Sequence, residues 1–113
     1  MEELLFKVLE ETGYPYMLQG SLLPEEEYPD NFFTFWNNDS SDGNHYDNKA
    51  AAIIYDWDVN FYSVDQEKVY TVLRETIEKL KEKGFIISGD GYSVQSDEPT
   101  HDGRGVNVLY RKG

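Results

Sequence analysis

The chemically able residues of this chain are the aspartates and histidines of two polar stretches and a pair of aspartates two positions apart. The first stretch, NNDSSDGNHYDNK from Asn37 to Lys49, has the outline of a calcium loop: with Gly43 at the sixth position, Asn38, Ser40 and Asp42 fall at the first, third and fifth. The twelfth position is Lys49. A cation stands where calcium needs a bidentate glutamate, so a plain polar loop is expected, with no metal in it. His45 and His101 lie in separate polar stretches without the spacing of a zinc pair on one element, and both are expected at the surface. Asp42, His45, Asp47, His101 and Asp102 would make a metal or hydrolytic site only if the two loops converge.

Nucleophilic and phosphate chemistry have less to work with. There is no Gly-x-Ser-x-Gly and no cysteine. The fragments GDGYS and HDGRG supply glycines without the following Lys and helix of a phosphate loop, and they read as turns. Asp56 and Asp58 project from one face of a strand, an arrangement a glycosidase uses, but a solvated face is the simpler expectation. No catalytic residue, metal or cofactor is expected, and the chain is read as working through contacts with other macromolecules.

The elements that position these residues follow from hydrophobic spacing. Leu4, Leu5, Val8 and Leu9 recur at helical period and Gly13-Tyr14-Pro15 stops them, which predicts a helix over Glu2 to Thr12. Pro15 to Leu23 has room for a short strand, PEEEYPD is a proline-bounded connection, and Phe32 to Trp36 begins an extended aromatic segment. Tyr55, Trp57, Val59 and Phe61 alternate with Asp56, Asp58, Asn60 and Tyr62, the period of a strand with one buried face. Such alternation belongs to an antiparallel sheet covered on one side. Ser63 or Asp65 caps a second helix whose stripe is Val69, Val72, Leu73, Ile77 and Leu80, ending before Gly84. Strand material is expected at Phe85 to Ser88 and Tyr92 to Gln95 around a Gly89-Asp90-Gly91 turn. A polar loop from Ser96 to Gly105 then leads to a last strand over Val106 to Arg111. The expected fold is a single α+β domain over residues 1–113, an antiparallel sheet of about four or five strands with two helices on one face.

Composition supports a folded domain. Of the 113 residues 15% are aromatic, too many for a disordered chain. The longest apolar run, Ala50 to Tyr55, is too short to span a bilayer, and the acidic opening MEELLFKVLEE lacks a signal peptide's basic start, so a cytosolic site of synthesis is expected. Charge is lopsided. Residues 1–66 hold 14 acids against Lys7 and Lys49, hence −12, whereas residues 67–113 hold eight acids and eight Lys or Arg. That field repels phosphates and favours basic protein surfaces, so neither nucleic acid nor membrane is an expected partner.

The Tyr28-Pro29 region, FFTFWNN, the loop ending Tyr46-Asp47-Asn48-Lys49, the run IIYDWDVNFYSVDQEKVYTVL and the closing NVLYRK follow one another in a distinctive order. Over about residues 24–112 this order resembles the small tail-completion proteins of long-tailed bacteriophages and prophages. In that family an aromatic strand leads to a loop with an Asp-Asn-Lys element. A strand ending in Tyr-Ser or Tyr-Thr, a capped helix and a last strand ending in Tyr and a charge then follow. The likeness is of fold elements, and HDGRG has no counterpart in it. It implies a structural tail terminator or head-tail joining subunit, not an enzyme, ringed with its own copies between tail tube and head connector. Its place would be the bacterial cytoplasm during assembly and then the virion neck or tail.

Two other readings differ in class. An acidic nucleic-acid mimic would use the charge of residues 1–66 to block a DNA-binding protein, and a small hydrolase would lose activity when His45 or His101 is changed. In the structural reading the contacts are Asn38, Asp39, Asp42, His45, Asp47, Asp56 and Asp58. With Lys49 at the twelfth position, neither calcium nor zinc should change the melting temperature. A saturable rise of several degrees at low micromolar metal would overturn that expectation, because a ligand of the native state alone must stabilise it.

Overall fold

The computed structural model describes residues 2–19, 29–38, 41–42, 53–87, 89, 91–95 and 100–112. Helix α1 (Glu2–Glu11) is followed by β1 (Tyr16–Leu18), β2 (Asn31–Asn37), β3 (Ser41–Asp42) and β4 (Ile53–Ser63). Helix α2 (Gln66–Glu82), β5 (Tyr92–Val94) and β6 (Asp102–Lys112) complete the chain. The sheet runs β1-β2-β4-β6-β5, with β3 added alongside the start of β4. This is the expected α+β fold, a largely antiparallel sheet with two helices.

The middle of the sheet is the antiparallel β4·β6 ladder, which pairs every residue from Ile53 opposite Lys112 to Ser63 opposite Asp102. On one face Trp57, Val59 and Phe61 of β4, Val106 and Val108 of β6 and Phe33 of β2 are buried. They form one core with Leu5, Val8 and Leu9 of α1 and Val69, Leu73, Ile77 and Leu80 of α2. Both helices therefore cover the same face, and the alternation read along β4 has the expected register. Phe6 reaches Phe35 and Tyr16 with ring centroids 4.9 and 5.6 Å away, and Tyr16 donates to Glu10 at 2.6 Å, which ties α1 to β1.

Local chemistry sets the ends of α2. Asp65 is the N-cap, its carboxylate accepting from the Glu67 amide at 2.9 Å. At the other end the amide of Gly84 donates to Lys81 and that of Phe85 to Leu80, with Gly84 at φ +99°, the left-handed cap that a glycine closes without strain. Phe85 then packs into the core beside the helix it ends.

Several expectations are corrected. The β1·β2 pair is parallel, with Tyr16 opposite Phe33, because the connection from Gln19 to Asp30 is long enough to return to the same end of the sheet. The polar stretch from Asn37 to Lys49 is not without structure: Asn37 belongs to β2, and Ser41 and Asp42 pair with Ile54 and Ile53. Among the described residues of the 85–88 segment only Ile86 pairs, as a single bridge to Leu109. The largest change is at HDGRG, of which Asp102 to Gly105 are not a turn within a loop but the first part of β6. Glycine alternates there because two side chains of β4 lie across the strand. A Cβ on Gly105 would collide with the Asn60 side-chain oxygen, and one on Gly103 would sit 2.6 Å from the Tyr62 ring.

Two substitutions test this account. Trp57, 2% exposed, should cost about 3–5 kcal/mol when truncated to Ala, the range for a buried large aromatic. Gly105→Ala should cost about 1–3 kcal/mol, as overpacking does, and Asn60→Ala should relieve most of that penalty in the double variant. Urea melts in which the two changes simply add would refute the close approach.

Candidate functional site

The face of the sheet away from the helices holds the candidate site. From β2 it receives Phe32, Thr34 and Trp36, from β4 Asp56, Asp58, Asn60 and Tyr62, and from β6 the two glycines and Asn107. Tyr92 and Val94 of β5 stand opposite Gly105 and Gly103 on the same face.

Asn107 organises its centre. Its side-chain amide donates to Asp56 Oδ1 at 2.6 Å, to Asp58 Oδ1 at 3.2 Å and to the Trp57 carbonyl at 3.3 Å. Asn38 adds a bond to Asp56 Oδ1 at 3.2 Å from its side chain, while its backbone amide holds the Asp56 carbonyl at 2.8 Å. Asp56 and Asp58 are accordingly half-buried and bonded, not the freely solvated pair expected from the alternation alone. Burial, and then the charges of Asp58 and Asp56, push the Tyr92 phenol above its ordinary pKa of 10.0. Half-exposed Trp36, directly across from Asp58, and Tyr92 bound this acidic centre on its two sides.

Of the sequence-derived contact residues, Asn38, Asp56 and Asp58 are brought together here. Asp42 lies in β3 with its backbone paired to Ile53, and Asp39, His45 and Asp47 lie outside the described residues. The calcium reading falls mostly outside them too, although Asn38 is engaged with Asp56. Convergence of the two polar loops is excluded for their described members. Asp42 pairs with Ile53 at one end of β4 and Asp102 with Ser63 at the other, about 33 Å apart at strand rise.

His101 is a correction, since it is buried, 9% exposed, and not a surface residue. Its Nε2 lies 2.8 Å from the Pro29 carbonyl, which only accepts, so that nitrogen carries the proton; Nδ1 lies 3.0 Å from the Thr100 hydroxyl. The ring also meets Phe32 edge-on at 5.8 Å, and Phe32 stacks on Tyr62 at 5.2 Å. This is a bonded structural imidazole closing one end of the open face. Near it a cleft of about 420 Å³ runs between α2 and β5·β6, lined by Gln66, Tyr70, Ser93, His101, Asp102 and Arg104. Arg104 fills part of its wall, stacked 4.9 Å over Tyr70 and donating to the Gly91 carbonyl at 3.0 Å.

Sequence reasoning did not find Asn107, Tyr92, Trp36 or Asn60 as members of the site. Asn107 is directly opposite Asp58, so its role depends on a register that only the pairing of two distant segments fixes. The exposed position of Trp36 was in principle visible, since it is out of step with Phe33 and Phe35. No protein-family model matches the chain, and no curated protein matches it significantly.

What the arrangement can do is accept hydrogen bonds and hold positive charge. Asn107→Ala should cost about 1–3 kcal/mol, because it removes the donor that holds two like charges together. Asp58→Asn should lower the Tyr92 titration toward 10.0. The raised phenol contributes stability in full below the unfolded pKa and loses it as pH climbs through the folded value, so Asp58→Asn should also flatten the alkaline fall in stability. A Tyr92 titration by NMR that does not move would disconnect the ring from the carboxylates.

Proposed function

We propose that the chain is a structural subunit of bacteriophage or prophage tail completion, a tail terminator or head-tail joining protein that acts as one copy in a ring. The observation that carries this reading is the order of elements over about residues 24–112. The aromatic strand, the Asp-Asn-Lys loop, the strand ending in Tyr-Ser, the capped helix and the last strand with Tyr and a charge resemble that family. The fold is compatible with it, since the helices lie on one face and leave the other open for a neighbour. No helix among the described residues is long and apolar enough to cross a membrane. In this reading the protein is not an enzyme and needs no cofactor. It gathers in the bacterial cytoplasm and ends in the virion neck or tail, touching tail tube, head connector and its own copies.

Charge sets a condition on the ring. Copies that each carry −12 repel one another, so contacts must be head-to-tail, acidic residues 1–66 against the Lys and Arg of residues 67–113. Exposed pairs of that kind contribute about 1 kcal/mol or less each and are screened by salt, so the free protein should be monomeric and close its ring on the tail. The same concentration of acids supports a second reading, a nucleic-acid mimic that blocks a basic DNA-binding protein.

Removing Asn44 to Asp47 should leave folding intact and yield particles with unjoined heads and tails, or tails of irregular length, by electron microscopy. Normal virions from a virus lacking the gene, together with tight 1:1 binding of the purified protein to a defined DNA-binding protein, would replace the tail reading with the mimic.

A further inference from the structure

The open face carries groups that neither the core nor the strand ladder uses. Trp36 and Tyr92 are each 48% exposed. Between them Asp56 and Asp58 share the Asn107 amide, and among the described residues neither carboxylate is paired with a Lys or Arg. In the adjoining row Thr34 projects from the same face, beside Trp36 along β2 and opposite Asn60. Thr34 is 6% exposed and its buried hydroxyl has no hydrogen-bond partner among the described residues. A buried hydroxyl left unbonded is costly, and it lies beside an acidic centre that, among the described residues, has no cation to compensate it.

We propose that this face docks a basic segment of a partner protein, with one arginine seated on Asp58 and Asp56 against the ring of Trp36 and a second reaching the ring of Tyr92. The sign follows from the two carboxylates, each with one oxygen engaged by Asn107 and acceptor capacity remaining. Arginine is favoured over lysine because its planar guanidinium stacks on an aromatic ring while its fork bonds a carboxylate. The dimensions suit an extended segment. Trp36 and Tyr92 stand on β2 and β5, three strand spacings across the sheet and two residues along it, or about 16 Å apart, which about five extended residues cross. A second copy of the chain brings −12 of its own and could meet this face only by presenting its Lys and Arg locally, as in the ring, whereas a separate basic segment meets it without that condition. The proposal goes beyond the tail reading, because any basic partner satisfies it.

The test is an NMR titration of the full chain with a blocked Gly-Arg-Gly-Arg-Gly peptide, its lysine counterpart and a glycine-serine control. The expected result is saturable binding that shifts the Trp36 indole, Asp58, Asn107 and Tyr92 and leaves the buried Trp57 indole still. The lysine peptide should bind several-fold more weakly. Trp36→Ala and Asp58→Asn should each weaken the arginine peptide at least fivefold with the melting temperature held within a few degrees. Tyr92→Phe should retain most of the affinity, which separates stacking from loss of fold. Shifts spread evenly over the acids of residues 1–66, equal for both basic peptides and unchanged in Trp36→Ala, would overturn the proposal. So would a concentration-dependent dimer that Trp36→Ala dissolves, because the face would then belong to a second copy. Failure of the peptide to bind removes the docking surface and leaves the virion experiment standing. Binding by a protein dispensable for joining heads to tails would keep the surface and remove the tail reading.

Discussion

Everything in this molecule hangs on the antiparallel ladder between β4 and β6. It is the only strand pair among the described residues that runs unbroken over eleven residues on each side, from Ile53 to Ser63 and from Asp102 to Lys112. Because side chains alternate strictly along it, this one register decides which residues meet the helices and which meet the outside. A slip by one position would put Asp56, Asp58 and Asn60 against α2 and bring Trp57 and Phe61 into water. The apolar side alone makes such a slip prohibitive, and the glycines reinforce it from the other side. Asn60 and Tyr62 can lie across β6 only where Gly105 and Gly103 are placed.

The two faces answer different demands. The helix face is closed by aliphatic and aromatic packing in which α1 and α2 share the same strands, with the ends of α2 fixed by Asp65 and Gly84. The open face is polar at its centre and aromatic at its margins. It tolerates two neighbouring carboxylates because Asn107 bonds both. Removing water from such a group is favourable only if a donor or a cation replaces it, so a face of this kind is selective for what it touches.

Much of the fold was legible in the residues because the signals were local. The period of Tyr55 to Phe61, the stripe from Val69 to Leu80 and the cap at Asp65 each state a preference within a few positions. Non-local facts were not legible. The glycines of HDGRG look like turn residues in isolation, and their reason for being in a strand is Asn60 and Tyr62, far away in sequence. His101 looks like a loop histidine until Pro29 and Phe32 are placed around it. The site was half legible for the same reason: Asp56 and Asp58 share a face by spacing alone, whereas Asn107, Trp36 and Tyr92 join them only through pairing.

The distance in sequence between β4 and β6 also bears on how the chain is made. While a ribosome has delivered β2 and β4 but not yet β6, the aromatic strands Asn31–Asn37 and Ile53–Ser63 have one another and α1 but lack their central partner. Local helices form early, yet the ladder that organises the core must wait for loop closure over the whole of α2 and β5, the slow step in folds dominated by remote contacts. The nascent hairpin would then show an unpaired edge for pairing with other chains, and the acids spread through residues 1–66 act on that interval by keeping growing copies apart.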